Sequence, residues 1–146
     1  MTTRRVFRGV KTVDALSTAL STGCYIVNLS GTGEAGTHWV TIVVTTRSVA
    51  YQCPEGGRPS SRTMTCLKAG RLLEGRKLYH STRRYQRSGT STCGIYCLLM
   101  VLAHADRTYS LHALFNAPLG EARDRLASRH AQQHYTLRTK HILRPD

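Results

Sequence analysis

Acidic residues are scarce in this chain, which has eight aspartates and glutamates against 21 lysines and arginines. The formal net charge at pH 7 is therefore +13, and since four of the 21 basic residues are lysine, 17 are arginine. Arginine binds phosphate groups through two hydrogen bonds at once, so this balance predicts a polyanionic partner. The arginines are spread along the chain, without a zinc-finger or basic-zipper pattern. We therefore expect sequence-independent binding to DNA.

Long hydrophobic runs are absent as well. The richest apolar stretch, residues 95–105, is far shorter than the roughly 20 residues that a helix needs to cross a bilayer. The arginines near the start precede no continuous apolar segment, which argues against a secretory signal. Without repeats or low-complexity linkers, 146 residues of 40% hydrophobic content predict a single domain over residues 1–146. We expect a monomer with no membrane partner.

The five cysteines are too few, and odd in number, for a full disulfide framework, so the sequence predicts reduced thiols. Metal or small-molecule cofactors are not expected. Cys93 and Cys97 are four residues apart rather than in a CxxC motif, and no second pair of that kind is present. Cys97 is more simply explained as a small buried apolar residue.

The first half of the chain is typical of β-structure. The residues before position 24 follow no clear pattern and predict a short helical or irregular start. The Gly and Pro content of residues 53–63 predicts a surface loop. β-branched and apolar residues predict four strands, over 24–30, 38–46, 48–53 and, more weakly, 76–81.

The second half is typical of helices. An almost continuously apolar segment from Cys93 predicts a buried helix, with Ser91 or Thr92 as its N-terminal cap. Amphipathic helices are predicted over 111–115 and 119–135. The fold class that follows is α+β, with a small antiparallel or mixed central sheet packed against the buried helix and further C-terminal helices.

The segment QRSGTSTCGIYC, residues 86–97, places a thiol at the start of this buried helix. The helix dipole and the unpaired N–H groups there favour the thiolate form of Cys93, which is the nucleophilic form. Gly94 allows a substrate backbone to approach closely. The Cys93 backbone N–H and the side chain of Gln86 are candidate donors to an oxyanion.

A nucleophilic thiol needs a base, and His38 is the strongest candidate among seven histidines. It opens the best predicted strand, which holds it rigidly, and it precedes Trp39, the only tryptophan. For the six other histidines a surface or structural role is the simpler interpretation. His38 and Cys93, separated by a loop, are compatible with a Cys-His hydrolase.

Three motifs together resemble the adenovirus maturation protease family, within the clan of ubiquitin-like-protein-specific cysteine proteases. They are GTHW at 36–39, the interval from Gln86 to Cys93, and CGIYC at 93–97. The resemblance extends over roughly residues 24–141. It implies a papain-like fold in which Cys93 is the nucleophile, His38 its base, and Gln86 with the Cys93 N–H the oxyanion hole.

The resemblance also implies a biological role. It predicts a viral cysteine endopeptidase, found in the virion and the host nucleus, that cuts virion precursor proteins near small residues such as glycine. It further implies DNA as an activator, in agreement with the net charge, and leaves open a viral peptide as a second one. Gly75 stands where the family has the cysteine that binds such a peptide, and Cys66 lies nine residues upstream.

A second departure from the family concerns the third catalytic residue. Cys53 occupies the place of an acidic residue, directly before Pro54. Glu55 is the nearest carboxylate and is our candidate for the catalytic acid. The sequence leaves three alternatives open, in which Cys53 or Gln52 orients the imidazole or a Cys-His dyad works without a third group.

Two other functions remain compatible with the sequence. One is a basic nucleic-acid-binding virion protein with a decayed protease site, which the cysteine in the acid position favours. The other is a deconjugase that acts on ubiquitin-like modifiers.

Overall fold

The computed structural model describes residues 6–30, 38–87, 92–105 and 109–137. For residues 135–137 it describes the backbone only. The fold is α+β, as the sequence predicts. The strands are β1 (Phe7–Thr12), β2 (Gly23–Asn28), β3 (Trp39–Val44), β4 (Ser48–Gln52) and β5 (Lys77–His80), and the α-helices are α1 (Ser61–Ala69), α2 (Cys93–Ala105) and α3 (Glu121–Leu137). Short 3₁₀ helices lie at Val13–Ser17 and Leu111–Asn116.

The five strands form one mixed sheet in the order β1-β2-β3-β4-β5. The central pairs β2–β3 and β3–β4 are antiparallel, and the outer pairs β1–β2 and β4–β5 are parallel. β2 and β3 are rich in Val, Ile and Tyr, the residues that pack well on a pleated surface, and most of their residues are buried. All four strands predicted from the sequence are confirmed, each with bounds within two residues.

Three elements differ from the sequence prediction. The short helical or irregular start predicted before residue 24 contains the first 3₁₀ helix but also strand β1, an edge strand in which Gly9 and the exposed Val10 weaken the apolar alternation that marks a strand. The loop predicted over residues 53–63 ends earlier, because α1 begins at Ser61. The Ser60 side chain caps that helix by accepting a hydrogen bond from the Thr63 N–H. The segment at 111–115 forms a 3₁₀ helix rather than an α-helix.

The sheet is covered on both faces. On one face α2 packs against β2 and β3 through a cluster of Cys24, Ile26, Val43, Cys97 and Val101. On the other face α1 and the first 3₁₀ helix cover a larger core to which β2, β3 and β4 all contribute. α2 is covered in turn by α3 and the second 3₁₀ helix, which explains why its sequence is apolar nearly all round. None of the helices in the described ranges is long and apolar enough to cross a membrane.

Candidate active site

His38 is held at the start of β3 by its backbone. Its carbonyl accepts a hydrogen bond from the Leu29 N–H at 3.0 Å, which extends the β2–β3 pairing by one residue. The next residue, Trp39, packs against the cluster beneath α2. Because successive side chains of a strand alternate between faces, this anchoring of Trp39 also fixes the direction of the imidazole.

The imidazole of His38 contacts a thiol. Its Nε2 atom lies 3.1 Å from the Sγ atom of Cys53, the residue directly after β4. Cys53 is only 4% exposed. Burial raises the pKa of the Cys53 thiol above its ordinary value, and this outweighs the hydrogen bonds from the backbone of Gly57, Glu55 and Gly56, which lower it. Cys53 is therefore an uncharged thiol at neutral pH.

Of the other two candidates for the third catalytic position, Gln52 lies elsewhere, whereas Glu55 lines a cavity together with His38. The Oε1 atom of Gln52 is 2.9 Å from Nε2 of His104, a residue about 16 Å further along α2 than Cys93. The hypothesis that Gln52 orients His38 is therefore wrong, since strand alternation directs its side chain to the opposite face from that of Cys53. Glu55 lies beside Cys53, and its negative charge contributes to the raised pKa of that thiol.

Gln86 is attached to the same region by backbone hydrogen bonds. The N–H groups of Gln86 and Tyr85 both donate to the Pro54 carbonyl, at 3.0 and 2.8 Å. The Tyr85 ring packs on Tyr96 of α2, with the two centroids 6.3 Å apart. The Gln86 side chain is fully buried, and the segment that carries it connects the end of β4 with α2.

Cys93 is the first residue of α2 and is 3% exposed. One turn later, Cys97 is completely buried, as the sequence predicts. Burial raises the pKa of the Cys97 thiol to about 12, and repulsion from Cys93 and Cys53 adds to this effect. The Cys97 thiol is therefore uncharged at neutral pH, and it packs in the cluster between α2 and the sheet.

An open cavity of about 350 Å³ leads to the His38–Cys53 pair. Leu29 and Tyr51 contribute to its wall, and Glu55, Arg58 and Arg84 bring charged side chains to it. A ligand therefore reaches the imidazole from solvent. Within the described ranges no group of three or more His, Cys, Asp and Glu residues could hold a metal ion. The predicted cap Ser91 and His141 lie outside the described residues.

Arg123 is a residue of this region that the sequence did not single out. It is only 7% exposed, and its guanidinium donates to the carbonyls of Ala117 and Arg84, at 3.1 and 2.9 Å. These bonds connect α3 to the segment that carries Gln86. The amphipathic pattern of α3 suggests an exposed arginine here, so no local signal could have identified the contact.

Comparisons with known proteins find similarity in structure only. No family model and no curated protein matches the sequence. The ASFV pS273R protease is 22% identical, with a TM-score of 0.47 over 73% of this chain and 42% of that protein. The SUMO protease Ulp1, with its catalytic cysteine oxidised to a sulfinic acid, is 20% identical, with a TM-score of 0.48 over 81% of this chain and 53% of that one. At these levels the similarity assigns no function to the chain, which has to be argued from the chemistry of its own site.

Proposed function

We propose that this protein is a viral cysteine endopeptidase in which Cys93 is the nucleophile, His38 the base and Gln86 an oxyanion donor. One observation carries the proposal. The turn at Cys53 and Pro54 contacts both the His38 imidazole and the Gln86 backbone, and Cys93 begins the helix α2 on which Tyr85, the residue before Gln86, packs. This turn joins two of the three candidates, and we infer that Cys93 completes the site.

The chemistry that this arrangement supports is acyl transfer. The Cys93 thiolate attacks a peptide carbonyl carbon, a C–S bond forms, and the carbonyl electrons move onto oxygen. The Gln86 amide and the Cys93 N–H stabilise that oxyanion. When it collapses, the C–N bond breaks and the His38 imidazolium protonates the leaving amine. Water then attacks the acyl carbon, with His38 taking its proton. The C–S bond breaks, the product leaves as a carboxylic acid, and His38 returns the proton to the Cys93 sulfur.

Space for a substrate backbone is available beside the nucleophile. Among the described residues, no atom lies within 4 Å of the position that a Cβ on Gly94 would occupy. An extended peptide can therefore approach the start of α2 closely, as an attack on its carbonyl requires.

Thiol labelling tests the proposed nucleophile. We expect iodoacetamide at neutral pH to alkylate Cys93 at least about tenfold faster than Cys66, because the helix N-terminus and His38 favour its thiolate. Cys66 on α1 is the matched reference, since it is more exposed than Cys93. Rates are measured by mass spectrometry of peptides, and the excess should disappear in His38→Ala. If Cys66 were labelled faster than Cys93, the rates would follow the exposure of the two thiols. Cys93 would then not be an activated nucleophile.

The substrates that we propose are virion precursor proteins cut near small residues such as glycine, in the virion and the host nucleus. The resemblance of GTHW and CGIYC to the adenovirus maturation protease family supports this proposal, together with the strongly basic composition, which suits a protein packaged with nucleic acid.

DNA is the partner that we propose for a surface next to Gln86. We call it the Phe115 surface, and it consists of Arg83, Arg87, His112, Phe115 and Arg123. The Phe115 ring is 39% exposed and lies between two arginines, with its centroid 5.6 Å from the guanidinium carbon of Arg83 and 4.7 Å from that of Arg123. A cationic surface with an accessible ring is suited to phosphates and bases. DNA bound there, alone or with a viral peptide, would stabilise the segment that carries Gln86 and so activate the enzyme.

Salt dependence tests DNA binding. We expect the logarithm of the affinity for duplexes of unrelated sequence to fall linearly with the logarithm of the salt concentration. Arg83→Ala should weaken binding and reduce that slope by about one. Arg47→Ala is the matched control, because it removes an exposed arginine from the turn between β3 and β4, at the opposite end of β3 from His38. Fluorescence anisotropy measures the affinity of each variant and its dependence on salt concentration. A slope near zero, or equal effects of the two substitutions, would contradict the proposed surface.

A further inference from the structure

We propose that Cys53 is the positioning residue of this site, and that it orients His38 as an uncharged thiol in the place of a carboxylate. This inference rests on the proposed protease function. Cys53 touches neither substrate nor nucleophile in this scheme and acts only through the imidazole. The sequence favoured Glu55 for this role. We assign the role instead to the thiol of Cys53, two residues earlier in the chain.

The first argument is that the sulfur is fixed on every side. Cys53 follows β4, whose pairing with β3 aligns Gln52 with Thr41 and so determines where the next side chain lies. The Cys53 carbonyl accepts a hydrogen bond from the Gly56 N–H at 2.9 Å, which closes a tight turn. Gly56 has a positive φ of 80° and a Cβ there would lie 2.9 Å from the Thr82 carbonyl oxygen, so this turn requires glycine.

The second argument is the arrangement of hydrogen-bond donors around the sulfur. Backbone hydrogen bonds from Gly57, Glu55 and Gly56 reach Cys53, and Nε2 of His38 is the fourth polar neighbour. Converging N–H groups of this kind are what an accepting atom needs. Sγ is therefore placed as an acceptor, and the Nε2–H of His38 donates to it.

This direction of donation determines which ring nitrogen does the chemistry. A neutral imidazole carries one proton, and when that proton is on Nε2 the Nδ1 atom is left to accept the proton of Cys93. Without Cys53 the imidazole could adopt the other tautomer or rotate. The thiol therefore selects the tautomer that is active as a base.

The absence of charge on the thiol has a consequence for pH. Among the described residues, the titratable and charged groups that share the cavity with His38 are Cys53, Tyr51, Glu55, Arg58 and Arg84. Cys53 is the group in direct contact, so Cys53→Asp would place a carboxylate against Nε2 and stabilise the imidazolium. The ring would then lose its proton at a pH about one unit higher or more.

Nuclear magnetic resonance of the His38 ring tests this inference without relying on proteolysis. In a Cys93→Ala background, we expect the ¹⁵N shifts to show the Nε2–H tautomer when Cys53 is present. In Cys53→Ala we expect a mixture of tautomers, and in Cys53→Asp a titration shifted upwards by about one pH unit or more. Cys66→Ala, which removes a thiol from α1, should change nothing. Identical His38 shifts and titrations in all these variants would overturn the positioning role.

Kinetics with the active protein supply the second measurement. Cys53→Ala should lower kcat about tenfold, the effect of losing one hydrogen bond, with little change in KM. Cys53→Asp should restore kcat and extend the alkaline limb of the pH profile. Cys53→Val, which also removes the acceptor, serves if the alanine variant does not fold. Unchanged kcat and pH profile in Cys53→Ala or Cys53→Val would overturn the inference. So would full loss of cleavage in Cys53→Ala with activity retained in Cys93→Ala, because the nucleophile would then be Cys53.

Discussion

Replacing Cys93 with alanine is expected to lower kcat for cleavage of a glycine-containing virion precursor by at least about 10⁴-fold. The sulfur is the atom that forms the covalent intermediate, so no neighbouring group can take its place. The change removes one atom from a residue that is 3% exposed, and we expect a loss of stability of about 1 kcal/mol. The variant should therefore remain folded and inactive, which gel-based cleavage and a thermal melt measure together.

The controls for this prediction are other thiols of the same chain. Cys66→Ala should cleave at the wild-type rate, since Cys66 lies on α1, which packs on the opposite face of the sheet from α2. Cys97→Ala removes a fully buried thiol one turn away from Cys93 and should reduce stability more than turnover. Cleavage by Cys93→Ala at the wild-type rate would refute the proposed protease mechanism.

Replacing Gln86 with alanine is expected to lower kcat about 10²- to 10³-fold, with KM nearly unchanged. A donor to the oxyanion stabilises charge that exists only in the transition state, and the loss of one such donor typically has this magnitude. The measurement is steady-state cleavage of the same precursor. Since Gln86 is fully buried, Gln86→Met is the more informative variant, because it keeps the volume and removes the donor.

Gln52→Ala is the matched control for Gln86. It removes a glutamine that is hydrogen-bonded to His104, well away from the start of α2. We expect it to affect stability without a selective loss of kcat. Equal effects of Gln52→Ala and Gln86→Met on kcat would mean that Gln86 contributes to packing and not to the oxyanion hole.

The candidate residues are held together largely by backbone hydrogen bonds. The Pro54 carbonyl receives two N–H groups from residues 85 and 86, and the Arg84 carbonyl receives the guanidinium of Arg123. Such bonds depend on the positions of the chain and only weakly on the side chains involved. A substitution at Arg123 would therefore disturb Gln86 from a distance, by releasing α3 from this segment.

The sequence by itself determined the central part of the fold. β-branched and apolar runs predict β2, β3 and β4 because the sheet is covered on both faces, which buries nearly every residue of β2 and β3 and alternate residues of β4. The apolar segment after Cys93 predicts α2 because a helix covered on all sides has no polar face. The motifs around His38, Gln86 and Cys93 also predict candidate residues from the sequence, because each catalytic role can be filled by only a few residue types. Their catalytic roles stay predictions until turnover is measured.

Only the tertiary structure decided what lacks a local signal. β1 is a strand because β2 offers it a parallel partner, and α1 follows a Gly- and Pro-rich loop that gives no indication of a helix. The neighbour of His38 could not be chosen from the sequence, because Gln52, Cys53 and Glu55 all lie within a few residues of one another. The β3–β4 register and the turn closed by Gly56 determine which side chain meets Nε2, and they bring Cys53 to 3.1 Å. Such a distance depends on chain segments that meet only after folding, and this is the physical reason that the sequence does not contain it.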